Sequence, residues 1–295
     1  MIIIRLSGGL GNQMFQYALG RYLSLKNNEL LRFDINAIKN GIRKYSLNNF
    51  TVVGEISVDK DYKKINIPNM HRMNFRTRLR RRLFRLHEKN KSIYDRKIII
   101  EPNFNFCQDI LKIKNNCYLS GDWQSEKYFI ESEDVIRKDL TLKNELSDLS
   151  KQWIGKIESC ASVSLHIRRG DYVSNPKTNQ FHGTCDLAYY QRAISAIAKK
   201  INNPEFFVFS DDIEWAKNNL KIDYPIYFVS DKNIPDYEEL IIMSKCKYNI
   251  IANSSFSWWG AWLNNNPDKI VIAPQKWFNA PTDTSDLIPE KWIRL

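Results

Sequence analysis

The residues with the most chemistry in this chain stand at the end of one apolar run. From Ser162 to Tyr172 the sequence reads S-V-S-L-H-I-R-R-G-D-Y. In a period-two strand Val163, Leu165 and Ile167 share one face and Ser164, His166 and Arg168 the other, with Arg169, Gly170 and Asp171 opening a loop. An imidazole and a guanidinium thus sit side by side where a strand stops. If that strand is parallel and central, its carboxyl end is where open α/β sheets take ligands, and a guanidinium fork suits a phosphate. An edge strand with a solvated polar face gives the same pattern.

Other polar groups follow apolar runs in the same way. Phe206–Phe209 ends in Ser210-Asp211-Asp212, and Asn249–Ala252 ends in Asn253-Ser254-Ser255-Phe256-Ser257-Trp258-Trp259-Gly260. Serines at a helix start offer hydroxyls and free amides to a phosphate. Near the amino terminus, Ser7-Gly8-Gly9-Leu10-Gly11-Asn12-Gln13 joins a β-branched run to an apolar periodic segment: strand, glycine loop, helix. It matches neither the dinucleotide fingerprint nor a Walker loop, so its alternative is a tight turn, with Asn12 and Gln13 as the side chains of hydrogen-bonding reach.

Such groups fit one reaction type. Breaking the bond between a nucleoside diphosphate and an anomeric carbon leaves charge on the departing diphosphate, and the attacking hydroxyl must lose a proton. Arg168, the Ser254 and Ser255 hydroxyls and the helix start meet the first need without a metal. Asp211 or Asp212 can accept from a guanine edge. Asp171, His182 and Asp186, on or after the same loop, are candidates for the base. Arg169, facing the other way, is read as a structural ion pair with Asp171 or a neighbour.

Length and composition set the frame. With 295 residues, 43% hydrophobic and 26% charged, the chain is an ordinary globular one, large enough for two domains divided near residue 150. No apolar run reaches the length of a membrane span, and Met1 to Leu6 passes directly into a strand, so a cytoplasmic protein is expected. Five scattered cysteines without metal spacing are expected reduced. The net charge of +11 calls for an anionic partner.

Strands are predicted over 30–34, 98–100, 117–120, 206–209, 226–229, 249–252 and 269–273, with helices over 187–200, 213–220 and 237–244. Residues 36–50 read as irregular. Strand-helix alternation of this kind signifies a doubly wound parallel sheet. Gly121-Asp122-Trp123-Gln124-Ser125, ahead of a helix through Tyr128 and Phe129, has sugar-contact chemistry or simply a buried indole. Asp59-Lys60-Asp61 has the spacing of a metal-holding carboxylate pair, but no apolar strand precedes it. The basic run from Arg72 to Lys91 places Leu79, Leu83 and Leu86 on one helical stripe among Arg76, Arg78, Arg80, Arg81, Arg82 and Arg85. That pattern fits peripheral contact with an anionic membrane, or a solvated surface helix docked by its leucines. No sheet or helix-turn-helix motif supports nucleic-acid binding.

Taken together, the glycine loop through Tyr17, His166-Ile167-Arg168-Arg169-Gly170-Asp171-Tyr172, Phe209-Ser210-Asp211-Asp212 and Asn253 to Gly260 resemble the α-1,2-fucosyltransferase family, glycosyltransferase family 11, over residues 2–263. The resemblance implies a GT-B-like α/β fold, two Rossmann-like doubly wound halves facing a cleft, with 1–150 on the acceptor side and 151–295 binding GDP-fucose. It implies a metal-independent, inverting transfer of L-fucose from GDP-fucose to a galactose-terminated oligosaccharide. Arg168 would contact the β-phosphate, His166 with Asp211 or Asp212 would read guanine, and Ser254, Ser255 and Ser257 would hold phosphates. Asn12 and Gln13 would lie near the transferred sugar. The resemblance supplies no base. Lacking the amino-terminal anchor of animal members, the chain resembles a bacterial-type cytoplasmic enzyme of surface-glycan synthesis. A GDP-sugar transferase of another linkage or donor, or a basic nucleic-acid or membrane-surface module, are the alternatives.

Overall fold

The amino-terminal strand β1 (Ile2–Arg5) holds three consecutive isoleucines without solvent exposure, as a strand covered on both faces requires. The computed structural model describes residues 1–39, 41, 43–68, 75–114 and 116–295, so Arg72 lies outside the described residues. The chain divides into two units, Met1–Lys143 with Ser285–Leu287, and Asn144–Thr284 with Ile288–Leu295.

In the first unit α1 (Leu10–Asn27), β2 (Leu31–Asp34), α2 (Asn36–Lys39), β3 (Glu55–Ile56), α3 (Asp59–Lys64), α4 (Phe75–Lys89), β4 (Ile98–Ile100), β5 (Cys117–Ser120) and α5 (Glu133–Asp139) follow β1. The sheet order is β3-β2-β1-β5-β4, all parallel. Gly20 lets α1 lie close on β1 and β2, since a Cβ there would stand 3.0 Å from Leu31 and 3.2 Å from Ile4. Asn28, left-handed at φ 52, ends the helix by returning its N–H to the last turn.

The second unit contains α6 (Asp148–Glu158), β6 (Ala161–Ile167), α7 (Gly170–Ser174), α8 (Pro176–His182), α9 (Leu187–Ala198), β7 (Pro204–Ser210), α10 (Ile213–Asn219), β8 (Ile226–Phe228), α11 (Asp236–Lys245), β9 (Tyr248–Ile250), α12 (Ser255–Leu263), β10 (Val271–Ala273) and β11 (Ile293–Arg294). Its parallel sheet has the order β11-β10-β9-β6-β7-β8. β6 is therefore central, with β9 and β7 beside it. Val163, Leu165 and Ile167 pack with α9, while Phe207 and Phe209 pack with α6 and α11 on the other side. The polar face of β6 is not solvated either. Ser164 accepts a 2.7 Å hydrogen bond from the Asn249 amide, Ser162 accepts from the Lys247 N–H at 3.1 Å, and Asn264 donates to Asn249 at 2.7 Å. Buried polar atoms must be paired in this way, which makes an alternating strand compatible with a central position.

Four expectations change. The division falls at Lys143/Asn144 rather than near 150, because the Glu238 carboxylate in α11 accepts from Ser147 and Ser150 and ties the start of α6 into the second unit. The expected helix through Tyr128 and Phe129 is two 3-10 turns, Glu126–Tyr128 and Ile130–Ser132, around an extended-φ Phe129. The region of 36–50 includes the short helix α2. In α4 the leucine stripe does not dock: Leu79, Leu83 and Leu86 are exposed, and Phe84 packs on the Met1, Ile3, Tyr62 and Tyr118 core instead.

Candidate active site

At the carboxyl end of β6 two arginines turn to different carboxylates. The Arg168 guanidinium pairs with Asp171 through one nitrogen and with Asp211 Oδ2 through Nη1 at 2.7 Å, and it lies 5.1 Å from the centre of the Tyr172 ring. Arg169 donates from Nε to Asp212 Oδ2 at 3.1 Å and stacks 3.8 Å from the Trp215 ring. The partner of Asp171 is thus Arg168, not Arg169. Glycine at 170 leaves room for the Asp211 carboxylate, which a Cβ there would have to displace. Asp211 also accepts the Arg169 N–H at 2.8 Å, and Asp212 caps α10 by accepting from the Trp215 N–H at 3.2 Å. Three of the four oxygens of Asp211 and Asp212 therefore already accept from protein N–H groups, and the fourth, Asp211 Oδ2, is ion-paired with Arg168, leaving second lone pairs for any ligand.

His166, the last inward-facing polar residue of β6, is 5% exposed, stands 5.7 Å from the Phe256 ring, and has no hydrogen-bond partner at Nδ1 among the described residues. Burial, reinforced by the Arg168 guanidinium, pushes its pKa from 6.5 down to about 3. The ring is neutral at neutral pH, with one nitrogen a donor and the other an acceptor. As pH falls from about 6.5 toward about 3, only the unfolded chain takes up this proton, so stability is lost at up to about 1.4 kcal/mol per pH unit. Glu101 and Glu239, both pushed up to about 7 by burial, act with the opposite sign between pH 4.5 and 7. They cancel in a difference. The stability of the parent protein minus that of His166→Gln, from urea unfolding at pH 7 and pH 5, is expected to shrink at the lower pH. An unchanged difference would show that the folded imidazole is protonated.

The serine-rich turn after β9 splits. Ser254 caps α12, its hydroxyl accepting from the Phe256 N–H at 3.3 Å, and Ser255 begins the helix with a half-buried side chain. Ser257 is fully buried and donates to the Ser254 carbonyl at 3.3 Å, so it does not join them at the open helix start. Helical periodicity turns residue 257 inward against the sheet.

Below this turn Asn253 is a hub. Its amide donates to the carbonyls of His182 (3.0 Å), Gly183 (3.2 Å) and Trp277 (3.0 Å), and its oxygen accepts from the Cys185 thiol. The loop it holds follows His182, which is stacked on Tyr172 at 4.6 Å and has its pKa lowered by burial, while the Tyr172 hydroxyl donates to the Asn253 carbonyl at 3.4 Å. Asp186 caps α9 through the Tyr189 N–H at 2.7 Å. His166, Arg168, Asp171, His182, Asp211, Asp212, Ser254 and Ser255 thus belong to one end of one sheet. At the end of β8, Ser230 accepts from the Ser210 N–H at 2.8 Å and donates to Glu239, a carboxyl the sequence reading missed. Its signal was two adjacent glutamates opening α11, of which Glu238 ties down the start of α6 and Glu239 faces the end of β8.

Asn12 and Gln13 lie in the first unit. Gln13 is fully buried: its amide donates to the carbonyls of Gly8 (3.1 Å) and Lys44 (2.8 Å), and its oxygen accepts from the Ser46 N–H. These bonds make it a brace for the glycine turn. Asn12 is half-buried, and its oxygen accepts from the Gln124 amide at 3.2 Å. Past the ends of β4 and β5, Glu101 accepts from the N–H groups of Asp122 (2.7 Å) and Trp123 (3.0 Å). Trp123 is buried and held at φ 55, a strained conformation of the kind that gathers at ligand sites. Asp61 accepts the Val58 N–H at 2.8 Å as part of the α3 cap and faces Arg32, which gives that carboxylate a structural role. Among the described residues no group of three or more His, Cys, Asp or Glu could hold a metal.

Two doubly wound parallel sheets, one with a cationic, hydroxyl-bearing carboxyl end, make up a GT-B-like α/β fold. The sequence profile described as Glycosyl transferase family 11 matches residues 1–295, and the chain belongs to that family. An Escherichia coli alpha-1,2-colitosyltransferase is 38% identical, covering 100% of this chain and 99% of that protein. The O-antigen biosynthesis glycosyltransferase WbnK of Escherichia coli is 36% identical over 98% of this chain and 99% of that one. Human galactoside alpha-(1,2)-fucosyltransferase 1 is 25% identical over 52% of this chain and 45% of its own length. In fold, the GDP complex of an Arabidopsis thaliana FUT1 mutant superposes with a TM-score of 0.51 at 11% identity, covering 92% of this chain and 69% of that one.

Proposed function

We propose that the protein transfers L-fucose from GDP-fucose to the 2-hydroxyl of a terminal galactose, with inversion at the anomeric carbon. The observation that supports this reading is the adjacency of the β6 end and the start of α12: Tyr172, beside Arg168, reaches the Asn253 carbonyl and His166 faces Phe256, so the guanidinium and the positive end of the helix suit one anion. The galactose oxygen attacks the anomeric carbon, the carbon–oxygen bond to the β-phosphate breaks, and the electron pair leaves with GDP. Arg168, Ser254 and Ser255 stabilise that developing charge. Neutral His166 meets the guanine edge, and Glu239 suits a ribose hydroxyl. The acceptor proton passes to Asp171 or His182. Five free thiols suit a reducing cytoplasm.

The 38% identity to a colitosyltransferase favours one specific second reading, a donor lacking the 3-hydroxyl of fucose. A site built to hydrogen-bond that hydroxyl would discriminate by orders of magnitude, whereas an apolar one would not. The test is incubation with GDP-fucose or GDP-colitose and a panel of galactose-terminated disaccharides in excess chelator, followed by mass and linkage determination. An α-1,2-fucosylated galactoside is expected, together with a melting temperature raised by GDP. Stabilisation by UDP but not GDP, or a metal requirement, would sink the reading.

A further inference from the structure

Helix α4 is turned inside out relative to an ordinary surface helix. At 100° per residue Thr77, Arg81, Phe84 and Glu88 share the face toward the protein, and these are its half-buried or buried residues. Phe84 packs on the core below, Glu88 pairs with Lys91 and accepts the Lys97 N–H, and Arg96 donates to the Lys89 and Lys91 carbonyls at 3.0 Å, which fixes the carboxyl end. The opposite face carries Phe75 (79% exposed), Leu79, Leu83 and Leu86. Arg78, Arg82 and Arg85 border this apolar row on one side and Arg76 and Arg80 on the other.

The cations are crowded as well as numerous. Arg78, Arg81, Arg82 and Arg85 line one depression of about 450 Å³, floored by Ile98 and Ile100 at the edge of the sheet. The Arg81 guanidinium is pushed below its usual range by burial and by Arg85 and Arg78. Over residues 75–91 the sole acid is Glu88, which faces inward. Docking by leucines would have hidden the apolar row. Instead the fold presents it between two rows of arginine.

We infer that α4 is a membrane-docking surface that lies in the interface of an anionic bilayer, with Phe75, Leu79, Leu83 and Leu86 entering the acyl boundary and the flanking arginines on lipid phosphates. Charge complementarity selects the partner. A polyanion such as RNA would satisfy the arginines but leave four apolar side chains in water, whereas an anionic lipid surface accounts for both. Among the described residues no helix is long and apolar enough to cross a membrane, so the contact is peripheral. The inference does not depend on which sugar is transferred.

The test is co-flotation of the full chain with vesicles of phosphatidylcholine alone or of phosphatidylcholine and phosphatidylglycerol in a 3:1 ratio, at about 0.1 M salt. Binding to the anionic vesicles is expected at least about ten-fold tighter than to the neutral ones. Leu79→Gln with Leu83→Gln and Leu86→Gln, all at exposed positions, is expected to weaken it about ten-fold while leaving the melting temperature and the rate on a soluble acceptor unchanged. Arg78→Gln with Arg82→Gln and Arg85→Gln is expected to remove the preference for phosphatidylglycerol. Absence of binding to anionic vesicles overturns the inference. So does binding that the leucine variant retains in full, since that would reduce α4 to a nonspecific cationic patch.

Discussion

Arg168→Ala is expected to lower kcat/KM for fucosyl transfer by about 100-fold to 1,000-fold, the scale of losing one donor aimed at charge that develops in the transition state. The guanidinium is one-fifth exposed and held at the end of β6 by Asp171 and Asp211, so its position is set before any ligand arrives. The fold is expected to survive, because Asp211 keeps the Arg169 N–H and Val163, Leu165 and Ile167 remain packed. Arg168→Lys separates charge from geometry. An ammonium retains the positive charge but cannot address two carboxylates and a phosphate as a planar fork, so an intermediate rate is expected. Initial rates with GDP-fucose and a galactoside decide the matter. A near-normal rate for the alanine variant would remove Arg168 from the site and, with it, the proposed handling of the diphosphate.

Asn253→Ala should have the largest effect on stability, a loss of about 3 kcal/mol. One amide group answers three carbonyls, two of them buried, from two segments of chain, and Asn253 itself is 2% exposed. Alanine leaves those oxygens without a donor in a space too enclosed for free hydration. For a unit of this size the melting temperature is expected to fall by about 6–12 °C. Asn253→Asp keeps the shape but turns a carboxylate toward the three carbonyls, and is expected to be at least as damaging. Because the loop that follows His182 is fastened there, GDP-induced stabilisation should weaken in parallel. A melting temperature within about a degree of the parent's would mean that water or a neighbour replaces the amide, and would demote Asn253 from hub to bystander.

Legibility followed the kind of interaction involved. The strands with strong local patterns, 98–100 and 117–120, occur where their apolar runs predict them. The two-residue strands β3 and β11 escaped, because so short a segment has no periodicity and is extended only through pairing with β2 and β10. The glutamine of the glycine loop is a further case. As a sequence letter Gln13 is a polar group near a turn, and whether it meets a ligand or the carbonyls of Gly8 and Lys44 depends on a segment 31 residues away. Asp211 and Asp212 show the same limit: their place at a strand end was readable, their commitment to Arg168 and Arg169 was not.

By itself the sequence determined the parallel α/β class, the location of His166, Arg168, Ser254 and Ser255 at strand ends, and the family whose motifs they form. Those are consequences of period-two and period-3.6 patterning and of short motifs, all encoded within a few residues. Only the tertiary structure decided that the polar face of β6 is buried and paired, that Ser257 points inward, and that α4 docks by Phe84 and shows its leucines outward. Each depends on which partner lies across a non-local contact. A residue's own periodicity fixes which way it faces, not what stands opposite.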